Sequence, residues 1–197
     1  MAICARHYSV CGAGPVLYFA QTSKCRGGLV LRMLHFLFTD PQTGNGQAFF
    51  DMMADFVKQH ANGVASTDDF FAVANARVSQ TVLAQRFGYK DLTWFYRQWV
   101  LEACLPSYHL TYELKDQPDG SVMLDGTLTQ EGTPDTEQWF MPLPLWVTLS
   151  KGKAVVPIAV LGKESPVHVK LPSRPQKVEL DPQLWVLSEK TTVNGKH

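Results

Sequence analysis

The stretch KDLTWFYRQWVLEACLP, residues 90–106, decides how this chain is read. Three ring-bearing residues, Trp94, Phe95 and Tyr96, stand in a row, and Trp99 follows about one helical turn later. On a helix, Leu92, Phe95, Tyr96, Trp99 and Ala103 form one apolar stripe, with Trp94 and Leu101 making a second on its flank. Such a helix must be covered on two sides. Asp91 or Thr93 is placed to cap its start, and Leu105-Pro106 ends it, because the residue before a proline is pushed toward extended geometry. Aromatics at this spacing predict a core helix rather than a ligand box, with Trp99 buried where two structural regimes meet.

Upstream of this stretch the apolar period is helical. In GGLVLRMLHFLF, Leu29, Met33, Phe36 and Leu37 step by three and four, with Val30 and Leu34 widening the stripe. A helix is therefore expected from Arg26, stopped by Asp40-Pro41 and Gly44. A second runs over 47–61 with Phe49, Met53, Phe56, Val57 and His60 on one side, and Asn62-Gly63 ends it. Ser66 followed by Asp69 approximates a capping box and starts a third helix reaching toward Gly88. Residues 1–25 fit neither period and are expected to be poorly structured; their slight charge and short apolar run make a weak signal peptide.

Downstream the period falls to two. Tyr108, Leu110, Tyr112 and Leu114 alternate with polar residues, Pro118-Asp119-Gly120 turns, and Val122, Leu124 and Leu128 alternate again. Further strands are expected over 139–149, where Pro142 and Pro144 share a face and imply an edge or bulge, then 154–161, 167–171, 177–180 and 184–187. The predicted fold class is α+β. It comprises a helical subdomain over 26–105, a small antiparallel β-sandwich over 106–190 and a tail over 191–197.

Composition narrows function mainly by exclusion. Eighteen basic residues balance eighteen acidic ones, so no electrostatic footprint points to nucleic acid or an anionic membrane as a partner. The most apolar stretch, residues 29–38, is interrupted by Arg32 and His35 and is too short to span a bilayer. Cys4, Cys11, Cys25 and Cys104 show no C-x-x-C pairing. There is no H-E-x-x-H, G-x-S-x-G or Walker loop, and Gly12-Ala13-Gly14 lacks the third glycine of a dinucleotide fingerprint. Asp68 and Asp69 do not converge at adjacent helical positions, so capping is preferred over metal binding. His60 reads as a helix C-terminal residue, and His109 and His168 as outward strand residues. These residues assign no catalytic, cofactor-binding or metal-ligating position.

Four blocks taken in order, GGLVLRML, AFFDMMADFVKQHANGVASTDDF, DLTWFYRQWVLEACLPSYHLTYEL and FMPLPLWV, resemble the region that follows the catalytic site in zinc aminopeptidases of the membrane alanyl aminopeptidase (gluzincin) family. The resemblance covers about residues 26–187. It implies the rear of a thermolysin-like catalytic domain followed by a β-sandwich. The family's zinc ligands, two histidines of H-E-x-x-H and a downstream glutamate, would lie before this chain, as would its general base and its amine-binding acidic motif. The family's oxyanion-stabilising tyrosine falls at Lys24 here, Arg26 replaces the lysine that follows it, and Cys104 sits where a glycine is common. The chain is thus expected to be a C-terminal piece of a metallopeptidase, catalytically incomplete alone, with peptide substrate and zinc belonging to full-length relatives. The alternative is a stand-alone, non-catalytic interaction module derived from that scaffold, with a protein partner.

Overall fold

The computed structural model describes residues 17–102, 104–134 and 138–196, with side chains from residue 27 onward. Five α-helices come first: α1 (Leu17–Phe38), α2 (Gln47–His60), α3 (Thr67–Val78), α4 (Val82–Phe87) and α5 (Thr93–Tyr96), the last running directly into a π-helical segment, Arg97–Leu101. Seven strands follow: β1 (Ser107–Asp116), β2 (Val122–Glu131), β3 (Phe140–Leu149), β4 (Gly152–Leu161), β5 (Glu164–Leu171), β6 (Lys177–Leu180) and β7 (Lys190–Lys196). The α+β class stands, with one sheet ordered β5-β2-β1-β7 and the other β4-β3-β6. Every strand pairing is antiparallel except β1 with β7. No helix among the described residues is long and apolar enough to cross a membrane.

The helical half departs from expectation at its breaks. α1 begins at Leu17 rather than Arg26, so Gly27-Gly28, which read as a start, lie inside it. Residues 1–16 of the segment expected to be poorly structured lie outside the described residues. Ser66 does form the capping box, its hydroxyl accepting from the Asp69 amide at 3.1 Å while Asp69 accepts from the Ser66 amide at 2.8 Å. Replacing Ser66 with alanine is expected to cost about 1 kcal/mol, a loss that urea denaturation can resolve. The single third helix is divided at Thr81, whose hydroxyl donates to the Val78 carbonyl at 2.8 Å and accepts from the Ala84 amide at 3.2 Å, closing α3 and opening α4. Gly88, at φ 76°, ends α4 in the left-handed conformation that glycine adopts without a Cβ penalty. On α2 the buried residues are Phe49 and Met52, while Val57 is exposed, contrary to the predicted stripe.

The opening stretch folds as a shorter helix than its stripe implied. Asp91 accepts the Thr93 amide at 2.8 Å at the start. The backbone widens after Tyr96, with the Glu102 amide reaching the Arg97 carbonyl, and Glu102 is extended at ψ 153°. Leu92, Phe95 and Trp99 are fully buried, so the main stripe is realised; Leu101 is exposed, so the flank is only half covered. Ala103 lies outside the described residues.

In β3 every residue from Met141 to Leu145 is buried, because both faces of this strand are covered. Phe140 packs its ring against Phe87, Tyr89 and Trp94 of the helical half, with centroid separations of 6.2, 6.1 and 4.8 Å. By alternation, Pro142 and Pro144 share its face, and Met141, Leu143, Leu145 and Val147 take the other. Successive residues also direct their backbone groups to opposite neighbours. β6 pairs only with Leu145–Thr148, leaving the Phe140–Pro144 half of that edge without a strand. The Gln98 side chain fills part of the gap: with its amide oriented to satisfy both groups, it accepts from the Phe140 amide at 2.7 Å and donates to the Phe140 carbonyl at 2.9 Å. The Asp181 amide donates to the Pro144 carbonyl. The two prolines therefore occupy the positions whose N–H would point at the strandless edge, which accounts for the edge signal in a strand that is otherwise central.

Two other expectations are corrected. Residues 184–187 are a loop rather than a strand, and most of the expected tail is β7, laid parallel along β1 with His109 opposite Thr192. β7 is polar because it is an edge strand with only partial burial. Tyr112 stands opposite Gly126 on one side and Gly195 on the other, and a Cβ at Gly195 would collide with the Tyr112 ring.

Candidate functional site

The histidines and aspartates that invite a functional reading go to separate duties. His35, on α1, is packed against Phe49, Phe50 and Trp185 at centroid distances of 4.9, 5.2 and 5.4 Å. Burial, and then the nearby Arg32 charge, hold its pKa below the usual histidine value. His60 lies on the Phe56 ring, and Asp69 is committed to its cap. On the four-stranded sheet, His109 Nδ1 meets Thr192 Oγ1 at 2.6 Å. His168 Nδ1 meets Asp125 Oδ1 at 2.8 Å, and Lys115 reaches the other Asp125 oxygen at 3.1 Å. The His168 hydrogen bond, then that of Lys115, lowers the Asp125 pKa, as a structural surface ladder does.

Among the described residues no three His, Cys, Asp or Glu side chains come together as a metal-holding group.

What the helical half does present is an open groove of about 600 Å³. Val30 and Leu31 of α1, Met53 and Phe56 of α2, Phe70 of α3, and Trp99 of the π-helical segment line it. Trp99 and Val100, both of the π-helical segment, belong to its lining. Among the described residues its lining is mostly apolar, with the Ser66 and Thr67 hydroxyls at one end and no carboxylate, histidine, lysine or arginine, so it can take apolar surface. Leu31 of its lining is solvent-exposed, as is Val57, which follows the lining residue Phe56, and Val64, next to the lining residue Ala65, is 99% exposed. Sequence periodicity missed this groove because it scored Leu31 and Val57 as incidental to, or part of, buried stripes.

Three buried polar groups also escaped the sequence. Gln98 joins the π-helical segment to β3 as described. Gln130 donates through Nε2 to the Trp139 carbonyl at 2.7 Å and to the Gly162 carbonyl, tying the start of β3 to the β4–β5 turn. Asp181 is 1% exposed and accepts the Trp185 and Val186 amides at 2.9 and 2.8 Å.

No protein-family model matches the chain, and no curated protein does. Among solved structures it is similar to that of Legionella pneumophila aminopeptidase A in complex with aspartic acid, at 16% identity and a TM-score of 0.54. The likeness covers 87% of this chain and 17% of that one. At this identity it establishes an aminopeptidase-like fold and nothing finer, and the chain spans only a small part of that protein's length.

Proposed function

We propose that this chain is the rear scaffold of an aminopeptidase-like metallopeptidase, with its catalytic groups carried by polypeptide outside it. The observation that carries the reading is the fold likeness itself: it takes in 87% of this chain and only 17% of a much longer aminopeptidase. The four sequence blocks that resemble the zinc aminopeptidase family support it independently. The apolar groove fits the same reading, since it is a surface of core-like composition on the helical half, suited to packing against further polypeptide. Zinc and a general base would then come from the missing part, and the residues described here would hold the fold in place around them.

The groove also favours a second reading, a non-catalytic module that binds a protein partner there. The two are separated by the genomic sequence upstream in all frames, together with association of the purified chain. An in-frame or frame-shifted H-E-x-x-H segment upstream supports the first reading. Its absence, with a stable partner bound to the isolated chain and released by Phe56→Glu, overturns the first and supports the second.

A further inference from the structure

The connection from β6 to β7 is the second place where the helical half meets the sandwich, and the chain there runs outside both sheets. Single backbone bonds fix its ends: the Asp181 amide donates to the Pro144 carbonyl at 2.9 Å, and the Glu189 amide to the Pro106 carbonyl at 2.9 Å. Between them the chain closes on itself. The Asp181 carbonyl accepts the Leu184 amide at 3.1 Å, and the Asp181 carboxylate accepts the Trp185 and Val186 amides at 2.9 and 2.8 Å. The Trp185 ring lies against His35 and Phe36 of α1, which closes this strap on the helical half.

Leu184 has φ 54°, in the left-handed region that an L side chain does not favour, and such a conformation persists where its surroundings fix it. Its side chain is 67% exposed, so packing is not what fixes it. Arg32 grips the peptide groups on both sides of it. Nη2 donates to the Gln183 carbonyl at 2.6 Å and Nε to the Leu184 carbonyl at 2.9 Å, with the guanidinium 4.8 Å from the centre of the Trp185 ring. Successive carbonyls of an extended chain point to opposite sides, whereas a helical turn aims them the same way. One planar fork therefore reaches both only while Leu184 stays turned.

We propose that residues 181–187 are a strap able to lift from α1 as one unit while both sheets stay paired, and that Arg32 is its latch, acting as a positioning residue on Leu184. Without the fork, Leu184 is free to leave the left-handed region, the Gln183 and Leu184 carbonyls turn to water, and the Trp185 ring loses its cation–π partner. Lysine is no substitute. It keeps the positive charge but not the flat fork that both holds two carbonyls and lies on an indole. The sheets are expected to stay as they are, because these contacts of Arg32 all go to the strap.

The test is amide hydrogen exchange on the whole chain carrying Arg32→Met or Arg32→Lys. In both variants the Leu184, Trp185 and Val186 amides are expected to exchange about tenfold faster, the scale of losing charge-assisted hydrogen bonds at an exposed site, while the Leu110 and Leu124 amides of β1 and β2 keep their parental rates. The φ-dependent couplings of Leu184 should leave their left-handed range at the same time. Unchanged exchange in the strap overturns the proposal, as does a rise shared equally by β1 and β2, which would make Arg32 a general stabiliser. So does an Arg32→Lys chain that behaves as the parent, since charge alone would then suffice. Faster exchange in the strap with Leu184 still left-handed overturns it as well, because the latch would then not act through Leu184.

Discussion

Replacing Trp99 with alanine is expected to remove about 3–5 kcal/mol of folding stability, the range for deleting a fully buried large aromatic side chain, and a large part of what a domain of this size has. Trp99 is fully buried, with Phe95 6.5 Å and Trp139 5.6 Å away between ring centroids. Trp139 leads into β3, so this edge-on pair joins the helical half to the sandwich. Among the described residues the Trp99 indole N–H finds no hydrogen-bond partner. The contribution is therefore one of packing, and Trp99→Phe should keep most of it. Urea denaturation reads both variants. A Trp99→Ala midpoint equivalent to within about 0.5 kcal/mol of the parent, the range of surface changes, would place Trp99 outside the core.

The second large effect is expected at Gln98, one residue earlier. Gln98→Leu keeps much of the volume but strips the Phe140 amide and carbonyl of their partner at a buried strand edge. Each orphaned group costs about 1–3 kcal/mol, so the variant should lose about 2–6 kcal/mol. A packing defect alone would not single out one backbone amide. Exchange of the Phe140 amide should therefore rise beyond the general loss of stability. If Gln98→Leu is neutral, or Phe140 stays protected in proportion to the rest of β3, the glutamine is not acting as a substitute strand.

These two neighbours show what was legible in the chain and what was not. Trp99 was placed by the spacing of apolar residues, because a helical stripe and its burial follow from the same geometry. The strands β1 to β5 were legible for the same reason, and the prolines of β3 announced its half-open edge. Gln98, Gln130 and Asp181 were not, since apolar periodicity gives no weight to a polar residue that is buried by satisfying backbone groups far away in sequence. β7 was missed because a half-exposed edge strand has no apolar alternation to show, and residues 184–187 were misread because Trp185 is apolar for the sake of α1, where it meets His35 and Phe36, while Leu184 is exposed. The break at Thr81 and the widening at Arg97 depend on hydrogen-bond choices that composition does not fix. At the level of function, the sequence blocks pointed to a zinc aminopeptidase scaffold, and the fold likeness reaches the coarser statement, an aminopeptidase-like architecture.

The most direct test of the proposed function is zinc analysis of the purified chain, combined with hydrolysis of a panel of aminoacyl chromogenic amides. Peptide hydrolysis by this chemistry needs a metal with three protein ligands and an open position, and a base within reach of its water. The account predicts less than stoichiometric zinc after dialysis and no chelator-sensitive turnover. One equivalent of tightly bound zinc, with turnover that a chelator abolishes and zinc restores, would contradict it and make the chain an enzyme in its own right.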